Sequence, residues 1–299
     1  MELLLIILLA LAMNAQSVFS RLYHKTIPAT VDNAAVLTVF RCLIMAVLFA
    51  VTAGFAFTLH GPTMVYAAVY GGLLAVNLTV CTIGLMLGPI GLSTLIVSFS
   101  MIVVSLYGIV FLQEPLTWQL AAGIGMIAVS MVLLYEKEPS GTKLSLPWAV
   151  CVAIAFVANG ACTITQKLHQ IAFPGQFIHE FMIVGSLVCV AGSLLLAAGY
   201  RALAGKKEAR AVSERVPLRE CFCRGWAGML GIGISCYLVN FLLMVLNSRS
   251  AASFLFTTLS GLSILLSAAL SRFVYHEPMS TRQRISFVIG LAAVILMNL

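Results

Sequence analysis

Ten long apolar stretches limit what this chain can fold into more than any other feature of the sequence. A helix that crosses a bilayer needs about 20 mostly apolar residues. Lipid offers the backbone no hydrogen-bond partner, so each stretch must satisfy its own N–H and C=O groups as an α-helix. Hydrophobic residues make up 61% of the chain, against about 45–50% in soluble domains. We predict an all-α, polytopic membrane protein with ten transmembrane helices at 3–22, 34–57, 63–86, 91–112, 118–135, 146–167, 177–200, 226–246, 251–273 and 282–298.

The basic residues lie almost wholly in one set of loops. Of the 17 Lys and Arg residues, fourteen follow the odd-numbered spans, two fall on the other side, and Arg41 lies within a span. The positive-inside rule then places the loop 201–224 in the cytoplasm and both termini outside. We expect a multi-pass protein of a bacterial-type inner (plasma) membrane. Basic residues interleaved with apolar spans do not indicate nucleic-acid binding.

One short motif occurs twice in the chain. Residues 111–117 are Phe-Leu-Gln-Glu-Pro-Leu-Thr, and residues 274–280 are Val-Tyr-His-Glu-Pro-Met-Ser. Each copy follows a Ser-rich apolar span and precedes the last span of its half, and Glu114 and Glu277 are 163 residues apart. The chain is therefore predicted to contain a duplication.

The duplication divides the chain into two five-helix repeats, residues 1–138 and residues 144–299. A fainter match pairs Asn14, in the first span, with Asn159, in the sixth. Five spans are an odd number, so the second repeat enters the membrane from the opposite side and the two are inverted. Inverted repeats are typical of secondary transporters, which bind substrate near the midplane between the repeats.

These features resemble the drug/metabolite transporter superfamily, in its EamA-like branch. The resemblance rests on the ten spans, on Phe40-Arg41 in span 2, on the motif at 111–117 and on Gly123. The second copy departs from the family pattern, with Ser286 where Gly is usual. Family members also often have cytoplasmic termini, whereas the loop charges here predict the reverse. The resemblance implies a central cavity lined by spans 1, 3, 4, 6, 8 and 9.

Polar side chains inside predicted spans are the candidates for a binding site, because such residues are costly at membrane depth unless they meet protein or water. The alternative is a hydrogen bond between helices, worth about 0.6 kcal/mol on average. The residues predicted to bind substrate are Asn14, Gln16, Asn77, Ser98, Asn159, Tyr237, Asn240 and Thr257.

Charged residues supply three further candidates. Arg41 could bind a carboxylate or phosphate through a bidentate fork, or its side chain could snorkel to the interface. His179 and Glu180 open span 7 and could couple transport to protons, or Glu180 could simply favour a helix N-terminus. Glu114 and Glu277 are predicted to be structural, since each precedes a Thr or Ser that can cap the next helix.

The sequence favours a secondary transporter, an exporter or exchanger of small polar metabolites such as amino acids. An intramembrane enzyme and a non-transporting membrane subunit are the alternatives. The five histidines are scattered near span ends and no phosphate-binding loop occurs. We expect a small-molecule substrate and the lipid bilayer as partners, no cofactor and no metal. Ten spans can enclose a cavity within one chain, so a monomer could suffice.

Overall fold

The computed structural model describes residues 2–28, 30–88, 90–134, 145–203, 216–273 and 280–298, and every regular element in these ranges is an α-helix. The helices are α1 (Glu2–His24), α2 (Val31–Thr52), α3 (Gly61–Leu87), α4 (Ile90–Ser98), α5 (Ser100–Phe111), α6 (Trp118–Leu134), α7 (Leu146–Ala172), α8 (Ile178–Leu203), α9 (Leu218–Asn247), α10 (Ala252–Phe273) and α11 (Thr281–Met297). The all-α prediction is confirmed for these ranges.

Six of the described helices are long and apolar enough to cross a membrane: α1, α2, α3, α7, α8 and α9. This is consistent with a polytopic membrane protein. The second motif, with Glu277 and Pro278, lies outside the described residues, as do the boundary between the predicted repeats and residues 204–215 of the basic loop.

Helix α2 ends earlier than the sequence predicts. Its predicted range was 34–57, but the helix runs from Val31 to Thr52. Gly54 adopts a left-handed conformation with a φ of 62°. The N–H of Gly54 donates to Val51 O at 3.0 Å and the N–H of Phe55 donates to Ala50 O at 2.9 Å. This is a Schellman motif, which closes the last turn of a helix.

Helix α7 runs further than predicted. Its predicted end was residue 167, whereas the helix continues to Ala172. Lys167, the last residue of the predicted span, therefore lies inside the helix and is buried. Its ammonium donates to Asn247 O at 3.1 Å and to Ser250 O at 2.6 Å, at the end of α9. These two carbonyls stabilise the buried ammonium.

The predicted fourth span is two helices. Phe99 separates α4 from α5. The N–H of Phe99 donates to Ile96 O at 3.1 Å, and the N–H of Ile102 donates to Phe99 O at 3.0 Å. These bonds span three residues instead of four, so the chain tightens into a 3₁₀-like turn at this point.

Close packing of α3 and α8 positions the helices around the site. A Cβ on Gly71 of α3 would collide with the carbonyl oxygen of Gly185 on α8, and a Cβ on Gly192 of α8 would lie 2.8 Å from the Cβ of Ala75. Helices in lipid associate through such small residues because their backbones can then approach closely. Helix α3 packs on α7 and α8, and α9 packs on α1 and α2.

Candidate functional site

Polar side chains lie in layers along the interface between α3 and α7. Tyr70 and Asn77 are seven residues apart on α3, and Asn159 and Gln166 are seven apart on α7. Seven residues make about two turns, or about 10 Å, and return to the same helix face. Asn77 contacts Asn159, while Tyr70 and Gln166 share a partner, so the two helices run antiparallel with matched layers.

The first layer joins three helices near the middle of α7. Asn77 Nδ2 donates to Asn159 Oδ1 at 3.0 Å, and Asn159 Nδ2 donates to Ser100 Oγ at 2.7 Å. Ser100 begins α5, next to the break at Phe99. The Oδ1 of Asn77 is buried and has no partner among the described residues. The trio of Asn77, Asn159 and Ser100 therefore retains one unused acceptor, Asn77 Oδ1, beside the break between α4 and α5.

The second layer is centred on Asn240 of α9. Its Oδ1 accepts from the Tyr70 hydroxyl and from Gln166 Nε2, both at 3.0 Å. Its Nδ2 donates to Cys236 O at 2.8 Å. All four side-chain positions are buried to at least nine-tenths. This layer ties α3, α7 and α9 together.

Two more predicted residues lie beside this layer. Gln16 of α1 places its Nε2 at 3.8 Å from the sulfur of Cys236. Tyr237 packs edge-on to Phe49, with ring centroids 4.7 Å apart, and stacks on Phe241 at 5.9 Å. Tyr237 thus belongs to an aromatic cluster, while Gln16 extends the polar layer.

The structure does not bring three other predicted residues, Asn14, Ser98 and Thr257, to these layers. Asn14 is buried and its Nδ2 donates to Ala10 O of its own helix at 2.8 Å. Thr257 is fully buried between α10 and α5, where it donates to Ser105 Oγ at 3.0 Å. Ser98 is exposed at the end of α4. Thr257 therefore lies at the interface between α10 and α5.

His179 and Glu180 lie together at the start of α8 but contact different groups. The Nδ1 of His179 is 3.5 Å from Thr52 Oγ1, and its ring is edge-on to Phe49 at 5.9 Å. Glu180 Oε1 accepts from the backbone N–H of Thr58 at 3.2 Å. The carboxylate thus holds the loop that follows α2.

Sequence reasoning missed Tyr70, Gln166 and Cys236. Gln166 stood at the predicted end of its span, where polar residues are ordinary. Its spacing of seven from Asn159 was the available signal, because that spacing repeats one face of a helix. Tyr70 carried the same signal, since it lies seven residues from Asn77 on α3. In the described ranges no three His, Cys, Asp or Glu side chains are grouped to hold a metal ion.

The comparisons with known proteins bear only on the fold of this chain. No family model and no curated protein matches the sequence. Among the solved structures, one described only as the crystal structure of a protein matches 99% of this chain and 93% of its own, with a TM-score of 0.66. The two sequences are 15% identical. The chain thus shares the overall fold of that structure, and this likeness extends to nothing finer than the fold.

Proposed function

We propose that the protein is a secondary transporter that moves small polar metabolites, such as amino acids, across the cytoplasmic membrane by alternating access. The observation that carries the proposal is the pair of polar layers at Asn77 and Asn240, inside a bundle of apolar helices. Polar side chains at membrane depth face the interior and mark substrate pathways. The amide and hydroxyl groups of these layers suit an uncharged or zwitterionic polar solute.

Ten spans in two inverted repeats belong to this proposal. If α4 and α5 are the halves of one discontinuous span, the described helices make ten. In such an arrangement each span of the first half corresponds to the span five positions later. The α3–α7 and α3–α8 contacts then correspond to the α9–α1 and α9–α2 contacts, and all four are present. The α2–α8, α5–α10 and α6–α11 contacts are also present, and each of them joins two corresponding spans. A twofold relation between the halves accounts for this pairing. Discontinuous helices commonly form transporter binding sites.

The two proposed halves differ in their polar trios. The motif offset of 163 residues pairs Asn77 with Asn240 and Ser100 with Ser263. Asn77 belongs to a closed trio, but Asn240 bonds to α3 and α7 instead, and the Ser263 hydroxyl is buried without a partner among the described residues. Alternating access predicts such a difference, since one half is closed while the other is open.

Uptake into proteoliposomes tests the transporter proposal. Purified protein should move at least one radiolabelled amino acid or related metabolite under a solute gradient, and repeating the assay with a pH gradient tests coupling through Glu180. Asn77→Ala should lower the rate by about two- to tenfold, since losing one hydrogen bond changes the free energy by about 0.5–1.5 kcal/mol. Thr82→Ala is the matched control, because the Thr82 hydroxyl, on the same helix, donates to Leu78 O within that helix. The absence of solute flux under any gradient would sink the proposal.

A native thiol tests the proposed orientation. All eight cysteines lie among the described residues, and Cys223, beside the basic loop, is the exposed one. If that loop is cytoplasmic, a membrane-impermeant maleimide should label Cys223 in inside-out vesicles and not in intact cells. Cys223→Ser provides the control by removing the signal. Labelling of Cys223 in intact cells would reverse the proposed topology.

A further inference from the structure

We infer that the transported solute carries an anionic oxygen group, a carboxylate or a phosphate, and that this group binds the guanidinium of Arg41. The inference rests on the proposed function and narrows its substrate class. Arg41 is the eleventh of the 22 residues of α2, so it lies at the middle of that helix. Because α2 runs from Val31 to Thr52 instead of from 34 to 57, Arg41 lies closer to the middle of the helix than the predicted span indicated.

Arg41 faces protein rather than the membrane surface. Helix α2 packs on α8 and α9, and the titratable groups around the guanidinium are the thiols of Cys42, Cys189 and Cys236. The Nε atom of Arg41 is buried and has no hydrogen-bond partner among the described residues. A snorkelling side chain would instead extend its charge to the interface. Arg41 as a whole is only partly buried.

No described carboxylate balances this charge, because each of the five is engaged elsewhere. Their partners are Ser250 for Glu2, Arg201 for Asp32, the start of α10 for Glu114, Thr58 for Glu180 and Arg224 for Glu220. An unpaired charge at membrane depth is costly. A bound anion would remove that cost, and its binding would therefore be favoured.

Two side-chain amides lie beside Cys236, one of the thiols near Arg41. Gln16 Nε2 is 3.8 Å from the Cys236 sulfur, whereas Asn240 Nδ2, 3.9 Å from the same sulfur, also donates to Cys236 O at 2.8 Å. Sulfur is a weak acceptor. A carboxylate or phosphate oxygen is a stronger one, and its paired oxygens match the planar fork of Arg. An anion bound to the guanidinium beside Cys236 would thus offer the Gln16 amide a stronger acceptor than the thiol.

Thermal unfolding of the detergent-purified protein tests the inference. The probes are L-alanine, succinate and inorganic phosphate, with L-alaninamide and succinamide as counterparts that lack the carboxylate, all at equal concentration and ionic strength. At least one of the three probes should raise the Tm by about 2–4 °C, and neither amide should do so. Arg41→Met should abolish the rise, and Arg41→Lys, which keeps a point charge, should retain part of it.

The Arg41→Met variant separates a binding role from a structural one. Because no described carboxylate depends on Arg41, the ligand-free variant should melt at or above the wild-type Tm. A folded variant that loses the anion response supports the inference. A variant that fails to fold or melts below wild type without ligand, an anion response that persists in Arg41→Met, or no response to any anion in the wild type overturns it.

Two further arms identify the source of the anion and separate this inference from transport. Phosphatidylglycerol added to the micelles supplies a lipid phosphate, and a response to it alone would overturn the inference of a soluble substrate. Binding of a soluble anion without flux in proteoliposomes would sink the transporter proposal and leave the Arg41 site standing. Flux of neutral solutes without any anion response would overturn the Arg41 site and leave the transporter proposal standing.

Discussion

Gly71→Ala and Gly72→Ala are expected to change stability in opposite directions, although the two glycines are adjacent on α3. A Cβ on Gly71 would overlap the carbonyl oxygen of Gly185 and lie 2.8 Å from the Cβ of Val188. A Cβ on Gly72 would meet nothing within 4 Å. The backbone of α8 cannot yield as a flexible side chain can, so Gly71→Ala must push α3 and α8 apart.

Overpacking of this kind costs about 1–3 kcal/mol. Gly72→Ala should instead be neutral or stabilising by about 0.5–1 kcal/mol, because alanine is the better helix former. Unfolding monitored by circular dichroism at 222 nm in detergent should thus give a lower Tm for Gly71→Ala and an unchanged or higher Tm for Gly72→Ala. Equal melting of the two variants would show that the α3–α8 approach is looser than described.

Glu114→Ala should destabilise the protein by about 2 kcal/mol, because its carboxylate caps a helix from the other half of the chain. Oε1 accepts from the Ala252 N–H at 2.7 Å, and Oε2 accepts from the N–H and hydroxyl of Ser253 at 2.8 and 2.6 Å. These are the free donors at the start of α10. A negative charge there also interacts favourably with the positive, N-terminal end of the helix dipole.

Lys167 acts at the other side of the same turn. Its ammonium binds carbonyls at the end of α9, where the dipole is negative, so Glu114 and Lys167 together hold the connection from α9 to α10. Lys167→Met should also lower the Tm. The double variant should lose less than the sum of the two single losses, since both residues fix one turn.

Glu220→Ala is the matched control for Glu114→Ala. Glu220 pairs with Arg224 at 3.7 Å on the surface of α9, with both side chains at least half exposed. Exposed pairs contribute little, so Glu220→Ala should leave the Tm nearly unchanged. A Glu114→Ala variant as stable as Glu220→Ala would contradict the capping role.

The repeated Glu-Pro motif illustrates how far the sequence could be interpreted. Glu114 was predicted to be structural, and its contacts with α10 agree with that. The expected caps are also present: Thr117 Oγ1 accepts from the Leu120 N–H at 3.3 Å, and Ser280 forms a capping box with Gln283. Caps depend on residues three positions apart, which is why the sequence predicts them. The contact of Glu114 with Ala252 spans 138 residues, and no local pattern indicates it.

The sequence by itself determined that the described chain is helical, because apolar stretches of this length must satisfy their own backbone groups in lipid. The same stretches show which helices carry Asn77, Asn159, Asn240 and Arg41. The partners of these side chains follow from the packing of the helices. Periodicity reports the faces of one helix, whereas partners depend on the register between helices, which is set by close approaches such as Gly71 on Gly185. That register brings Tyr70 and Gln166 onto Asn240 and leaves Arg41 without a described carboxylate.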